Sequence, residues 1–174
     1  MSISIFVIGG CRSGKSSHAM TLAEDISREN RVYVATCVPY DDEMKDRVRK
    51  HQDERDDTWK TVESALHLPG TVRKEGSSAD VILIDCLTLW VTNMLMNDFE
   101  DESIEKEVFS LIDEIKKTPC PVILVSNEVG AGIVPENSLA RKFRDIAGFV
   151  NQKVAKSADK VVWMVAGIPV EIKK

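Results

Sequence analysis

The sequence predicts an α/β fold in which one mainly parallel sheet is covered by helices on both faces. Short apolar runs rich in Val and Ile recur along the chain and are separated by segments with helical periodicity. One run, residues 81–84, is uniformly apolar, which is typical of a strand buried on both faces of a sheet. The length of 174 residues suits a single domain, residues 1–174, with a sizeable core.

The composition is that of a globular protein and gives no sign of a membrane or nucleic-acid-binding protein. A hydrophobic content of 43% and a charged content of 29% are typical of a globular protein. The net charge of −5, without a basic block, gives no indication of a nucleic-acid partner. No apolar run approaches the length of a membrane span and no secretion signal is recognisable, so we expect a cytoplasmic protein without a membrane span.

The cysteines give no sign of a metal or disulfide site. Cys11, Cys37, Cys86 and Cys120 are widely spaced and form no Cys-x-x-Cys pair, and the histidines do not cluster. This spacing favours neither zinc binding nor a disulfide framework. We therefore expect four small buried thiols.

The strongest local motif stands near the start of the chain. Residues 9–16 read Gly-Gly-Cys-Arg-Ser-Gly-Lys-Ser, with an apolar run before them and a helix-compatible segment after them. This is the full context of a Walker A phosphate-binding loop (P-loop), whose glycines let backbone amides close around phosphate oxygens at a helix N-terminus. Lys15 is expected to reach the β- and γ-phosphates, and Ser16 to bind Mg²⁺. The predicted nucleotide-binding residues of the loop are Gly9, Gly10, Cys11, Arg12, Ser13, Gly14, Lys15 and Ser16.

Two further strand ends are candidate parts of the same site. Residues 31–36 predict a second strand, so that Ala35, Thr36 and Cys37 lie at its carboxyl end. Open α/β sheets bind ligands at that end of their strands. Asp85 directly follows the uniformly apolar third strand, which is the Walker B arrangement, and its carboxylate could hold Mg²⁺ directly or through water.

A strongly charged segment, residues 43–57, has helical spacing. Its charge alone favours a solvated surface helix, and that alternative stays open. Within it Arg47, His51 and Arg55 recur every four residues and so project from one helix face. Two neighbouring cations would keep the imidazole of His51 neutral and could bind phosphate oxygens. This combination suits a nucleophile that attacks a nucleotide α-phosphate.

The rest of the chain predicts three helices, two strands and a mobile connection. We expect helices over residues 87–96, 103–117 and 139–158, and strands over residues 121–125 and 161–165. Residues 130–136 predict a flexible loop that could close over a substrate, and residues 167–173 an edge turn. Arg141 and Arg144 share one face of the last helix, where they could bind phosphate or pair with Asp145.

Five motifs resemble those of the bifunctional adenosylcobinamide kinase/adenosylcobinamide-phosphate guanylyltransferase family of cobalamin assembly. They are residues 9–16, Asp-Asp-Glu-Met at 41–44, Arg47-x-x-x-His51, Ser-Asn-Glu-Val-Gly-Ala-Gly-Ile-Val-Pro-Glu-Asn at 126–137, and Phe-Arg-Asp-Ile-Ala-Gly-x-Val-Asn at 143–151. The resemblance covers nearly the whole chain. In that family a histidine at the position of His51 becomes covalently guanylylated, so the resemblance implies the same role here.

The resemblance also implies a RecA-like P-loop domain, a homotrimer, a corrinoid substrate, and the use of GTP, ATP and Mg²⁺. The nucleotide contacts that it implies beyond the loop are Ala35, Thr36, Cys37, Gln52, Asp53, Glu54, Arg55, Glu63 and Asp85. His51 and Lys15 would be catalytic, and Ser16 and Asp85 would hold the metal. Two positions depart from the family: Asp85 stands where a glutamate is found, and Lys50 where a second histidine is found.

Two other functions fit part of this pattern. A P-loop kinase for a small molecule, without guanylyl transfer, would share the Walker residues. A regulatory nucleotide-binding module would use nucleotide binding to order a loop. Neither function needs a neutral histidine between arginines, so His51 distinguishes both from a bifunctional kinase and guanylyltransferase.

Overall fold

The computed structural model describes residues 2–39, 42–53 and 55–174, apart from the side chains of residues 47, 50, 51 and 53. The strands are β1 (Ser4–Gly9), β2 (Arg31–Ala35), β3 (Trp59–Glu63), β4 (Val81–Asp85), β5 (Val122–Asn127), β6 (Lys160–Val165) and β7 (Ile168–Lys173). The helices are α1 (Lys15–Ile26), α2 (Asp42–Asp53), α3 (Leu68–Glu75), α4 (Leu87–Met96), α5 (Asp101–Lys117) and α6 (Ser138–Ser157). Among these described helices, none is both long and apolar enough to cross a bilayer.

The strands form one sheet in the order β3-β2-β4-β5-β1-β6-β7. All neighbours pair in parallel except β7, which is antiparallel to β6. The carboxyl ends of parallel strands meet at one edge of a sheet. Gly9, Ala35, Asp85 and Asn127 therefore lie along the same edge, at the ends of β1, β2, β4 and β5.

The core divides into two apolar clusters, one on each face of the sheet. The strand β4 contributes to both, because Ile82 and Ile84 join one cluster while Val81 and Leu83 join the other. Helices α3, α4, α5 and α6 cover the first face, and α1 covers the second. Trp90 of α4 is fully buried in the first cluster, and its Nε1 donates to the Leu66 carbonyl oxygen at 2.8 Å. The predicted mainly parallel sheet with helices on both faces is confirmed.

Three segments differ from the sequence-based expectation. The charged helix ends at Asp53 rather than at residue 57, because residues 59–63 form β3 alongside β2. The sequence did not predict this strand because Lys60, Thr61 and Glu63 are polar and exposed, which leaves no continuous apolar run. Residues 168–173 form the edge strand β7 rather than a turn, and their exposure to solvent explains the absence of a buried apolar run.

The glycines of the P-loop allow a matched test of packing. A Cβ atom on Gly9 would lie 2.6 Å from the Met164 carbonyl oxygen and 2.7 Å from Ser13 Oγ, whereas a Cβ on Gly10 would meet nothing within 4 Å. We expect Gly9→Ala to lower the free energy of unfolding by about 1–3 kcal/mol through overpacking. Gly10→Ala should change it by less than about 0.5 kcal/mol. Urea denaturation of the two variants without ligand measures both values, and equal losses would show that β6 does not confine the loop.

Candidate active site

The P-loop connects β1 to α1 in a conformation that leaves a helix end open to a ligand. Gly14 precedes the helix with a φ of 87°, in the left-handed region that favours glycine. No described side chain caps the N-terminus of α1. Its first backbone amides are therefore available to phosphate oxygens, and the helix dipole favours an anion there.

The side chain of Lys15 folds back over this loop. Its Nζ donates to the Gly10 carbonyl oxygen at 2.6 Å and lies 3.5 Å from Ser13 Oγ. Burial lowers the pKa of Lys15, while the charge of Asp85 acts in the opposite direction. A phosphate oxygen would be a better partner for this ammonium group than a carbonyl oxygen, because the hydrogen bond would join two opposite charges.

A cavity of about 370 Å³ lies at the carboxyl edge of the sheet, between the P-loop, α2 and the ends of β2 and β4. The predicted site residues that line it are Cys11, Arg12, Ser16, Ala35, Cys37, Gln52, Arg55, Glu63 and Asp85. A larger cavity of about 490 Å³ lies at the opposite edge, beside Arg31 and Trp59, and contains none of the predicted residues. The chemistry of the P-loop therefore identifies the smaller cavity as the candidate site.

Some predicted residues do not line this cavity, namely Thr36 and, in the P-loop, Gly9, Gly10, Ser13, Gly14 and Lys15. Thr36 is fully buried, and its hydroxyl donates to the Cys86 carbonyl oxygen at 2.8 Å and accepts from the Cys86 amide at 2.7 Å. The Thr36 side chain therefore joins the end of β2 to the start of α4 and does not line the cavity, while its nucleotide contact stays a prediction. Glu54 and the side chains of His51 and Asp53 lie outside the described residues.

Tyr33 is a site residue that the sequence did not reveal. Its hydroxyl donates to Asp85 Oδ2 at 3.2 Å, and its ring stacks on the guanidinium group of Arg55, 3.9 Å from the ring centroid. Burial raises the pKa of Tyr33, and the charge of Asp85 adds to this effect, so the phenol stays protonated. Strand periodicity could have indicated this residue, because Tyr33 precedes the predicted site residue Ala35 by two positions and therefore lies on the same face of β2.

Asn127, at the end of β5, is a second lining residue that was missed. Its Nδ2 donates to Thr88 Oγ1 at 2.9 Å, and its carbonyl oxygen accepts from Asn151 Nδ2 at 3.1 Å. The next amide, that of Glu128, donates to the Gly9 carbonyl oxygen at 2.9 Å. These bonds fasten the end of β5 to the P-loop, to α4 and to α6.

The two arginines of α6 hold the loop of residues 130–136. Arg141 donates to two carbonyl oxygens at the end of this loop, at 3.0 and 2.5 Å, and Arg144 donates to that of Gly130. Among the described residues neither arginine pairs with Asp145. Both side chains therefore have a structural role in holding this loop, and phosphate binding by them stays a prediction.

The four thiols are free, but two of them are not buried as expected. Cys11 is exposed and Cys37 is half-buried, and both line the cavity. Cys86 and Cys120 are buried.

The described part of the chain holds no group of three or more His, Cys, Asp or Glu residues placed to bind a metal.

Comparison with known proteins decides the family. The family described as cobinamide kinase / cobinamide phosphate guanyltransferase matches residues 5–172. The chain belongs to this family. It is therefore a kinase and guanylyltransferase of cobalamin biosynthesis, as the motif resemblance implied.

Two curated relatives are similar to this chain over nearly their full length. A bifunctional adenosylcobalamin biosynthesis protein, CobU of Salmonella typhimurium, is 45% identical over 181 residues, which cover 97% of this chain and 99% of the relative. The corresponding protein of Pseudomonas aeruginosa, CobP, is 38% identical over 170 residues, which cover 96% and 95%.

Solved structures show the same fold at low identity. A KaiC-like protein of Pyrococcus horikoshii superposes with a TM-score of 0.53 at 14% identity, covering 92% of this chain and 70% of that one. The flagellar accessory protein FlaH of Methanocaldococcus jannaschii gives a TM-score of 0.56 at 14% identity, covering 98% and 78%. These neighbours confirm the RecA-like P-loop fold class.

The exposed thiol in the P-loop allows a test of where nucleotide binds. We expect iodoacetamide to modify Cys11 before Cys37, because burial raises the pKa of Cys37 and the thiolate is the reactive form. Cys86, whose pKa burial raises to about 11, should not react in the folded protein. GTP should slow the modification of Cys11 at least tenfold, as measured by peptide mass spectrometry. The same rate with and without GTP would contradict the placement of nucleotide on the loop.

Proposed function

We propose that the chain phosphorylates adenosylcobinamide and then, through a guanylylated His51, transfers GMP from GTP to give adenosylcobinamide-GDP. The supporting observation is the position of α2. Met44, Val48 and Gln52 recur every four residues along this helix and line the cavity that also contains Ser16 of the P-loop. Position 51 follows position 44 by seven residues, which is two helical turns. Helical spacing thus favours a nucleophile at the wall of the nucleotide cavity.

Phosphoryl transfer depends on the P-loop side of the cavity. The hydroxyl on the aminopropanol arm of adenosylcobinamide would attack the γ-phosphorus of ATP or GTP, and the bond to the β-phosphate oxygen would break. The Lys15 ammonium group would stabilise the charge that moves onto the phosphate oxygens. Lys15→Ala should accordingly reduce both activities.

The oxygen atoms of Ser16 and Asp85 fit a magnesium site. Both residues line the same cavity, and a hydroxyl and a carboxylate are hard oxygen ligands of the kind that Mg²⁺ takes alongside substrate phosphates and water. When bound there, Mg²⁺ would neutralise phosphate charge during transfer. Asp85 is shorter than the family's glutamate, so we propose that it contacts the metal through water.

Guanylyl transfer would use the α2 side of the cavity. A neutral imidazole nitrogen of His51 would attack the α-phosphorus of GTP, forming a P–N bond as pyrophosphate leaves with the electrons of the broken P–O bond. A phosphate oxygen of adenosylcobinamide phosphate would then attack the same phosphorus and return the electron pair to the imidazole. Because α2 ends at Asp53, Arg55 does not share a helix face with His51 as the four-residue spacing predicted. Arg47, one turn before His51 on α2, would disfavour imidazolium before the attack, and Arg55 would stabilise phosphate charge during it.

The residue substitution that separates the two activities is His51→Ala. It should abolish guanylyl transfer while kinase activity survives at a reduced level, because phosphoryl transfer needs no imidazole nucleophile. The exposed His67 provides the matched control, and His67→Ala should retain both activities. Chromatographic assay of adenosylcobinamide phosphate and adenosylcobinamide-GDP measures the two steps separately. Retention of the GDP product in His51→Ala would contradict the proposal and favour a nucleophile elsewhere.

We further propose that the chain is a cytoplasmic homotrimer that binds its corrinoid as a small-molecule substrate. Self-association is supported by exposed apolar residues on the paired strands β6 and β7. They are Trp163, Val165, Ile168, Val170 and Ile172, which are 42–65% exposed. An apolar surface of this kind is typical of a protein–protein interface.

Multi-angle light scattering of the purified protein tests the oligomeric state, and it should give three times the chain mass. Ile168→Asp should lower that mass, because a carboxylate would lie in the apolar interface. Met96→Asp, at a similarly exposed apolar residue far from β7 in the chain, should not. A monomeric wild-type protein would contradict this proposal.

A further inference from the structure

Tyr33 lies where the two halves of the proposed site meet. The residue is only 6% exposed, and it contacts Asp85 through its hydroxyl and Arg55 through its ring. We propose that Tyr33 is a positioning residue that acts on both reactions. Its hydroxyl orients the carboxylate of Asp85, and its ring holds Arg55, which follows the end of α2.

The hydroxyl is placed to orient Asp85. In the register of β2 and β4, Ala35 pairs with Asp85, and Tyr33 precedes Ala35 by two positions on the same strand face. The 3.2 Å bond therefore runs along this face towards the carboxyl edge of the sheet. This hydrogen bond to Oδ2 restricts the rotation of the Asp85 carboxylate and hence influences which oxygen faces the cavity.

The ring is placed to hold Arg55. The guanidinium group stacks at 3.9 Å from the ring centroid, within the range of a cation–π contact. The ring is itself held on another side by Trp59 of β3, in an edge-to-face contact with centroids 6.3 Å apart. The Arg55 amide donates to the Gln52 carbonyl oxygen at 3.1 Å. Fixing Arg55 thus also fixes the end of α2 next to position 51.

The two contacts predict separable effects. Loss of the hydroxyl alone should disturb the metal side of the cavity, whereas loss of the ring should also release Arg55 from the nucleophile side. The first effect concerns the P-loop chemistry of the family. The second rests on the proposed role of His51.

Tyr33→Phe tests the hydroxyl. Because the ring and its stacking remain, guanylylation at saturating Mg²⁺ should stay within about threefold of the wild-type rate. The dissociation constant of Mg²⁺ from the nucleotide-bound protein, measured by calorimetry without corrinoid, should rise at least fivefold. The Mg²⁺ concentration that gives half-maximal kinase activity should rise by a similar factor, with a smaller change in kcat at saturation. A general structural role would lower kcat without shifting this Mg²⁺ requirement. An unchanged Mg²⁺ requirement would overturn this half of the proposal.

Tyr33→Leu tests the ring. Labelling by α-labelled GTP should fall at least tenfold below that of Tyr33→Phe, even at saturating Mg²⁺. Phe149→Leu is the matched control, because Phe149 also combines an edge-to-face aromatic partner, Phe109, with a nearby cation, Lys153. This control should lose stability without losing label. Equal labelling in Tyr33→Leu and Tyr33→Phe would overturn this half.

Arg55→Ala tests whether the Tyr33 ring acts through Arg55. If it does, the double variant should label little worse than the more defective of the two single variants, Arg55→Ala and Tyr33→Leu. Additive labelling defects would contradict a coupling between the Tyr33 ring and Arg55. Should Tyr33→Leu fail to fold, Arg55→Ala alone tests the ring half, since it should reduce labelling without the Mg²⁺ shift of Tyr33→Phe. A wild-type protein that takes no label on His51 refutes the proposed nucleophile, while the kinase assay of Tyr33→Phe still decides the hydroxyl half.

Discussion

The parallel register of the central strands is the constraint on which the candidate site depends. Gly9 pairs with Asn127 across β1 and β5, and Ala35 pairs with Asp85 across β2 and β4. Asp85 pairs with Val125 across β4 and β5, so Gly9 and Asn127 lie two residues beyond Ala35 and Asp85 at the same edge of the sheet. A phosphate-binding loop, a carboxylate and two cavity walls therefore meet at this edge, although long stretches of sequence separate them. The apolar clusters on both faces hold this register.

A network of buried hydrogen bonds makes that edge rigid while leaving the loop open. Thr36 bonds to both backbone groups of Cys86, and the Glu128 amide bonds to Gly9. These contacts satisfy polar groups that would otherwise be costly to bury. The first amides of α1, in contrast, have no side-chain cap and remain available to a ligand. Rigid surroundings and unpaired amides together provide a preorganised phosphate site.

The sequence predicted the features that depend on local spacing. The P-loop and Asp85 follow from motifs whose chemistry requires neighbouring residues, and both stand at the predicted strand ends. Features that depend on tertiary contacts were either not predicted from the sequence or predicted with a different role. Periodicity could not show that Thr36 turns into the interior, that Tyr33 reaches Asp85 on another strand, or that Arg141 binds a loop. The strands β3 and β7 were missed because exposed edge strands lack an apolar run.

In the proposed mechanism, His51 of α2 carries GMP between two substrates. The most direct measurement is the intact mass of the wild-type protein after incubation with α-labelled GTP and Mg²⁺, followed by mapping of the labelled peptide. We expect one GMP per chain on His51, lost in acid and retained in base, since a phosphoramidate has that stability. An acid-stable adduct, label on His18 or His67, or a kinase-active protein that takes no label would contradict the claim.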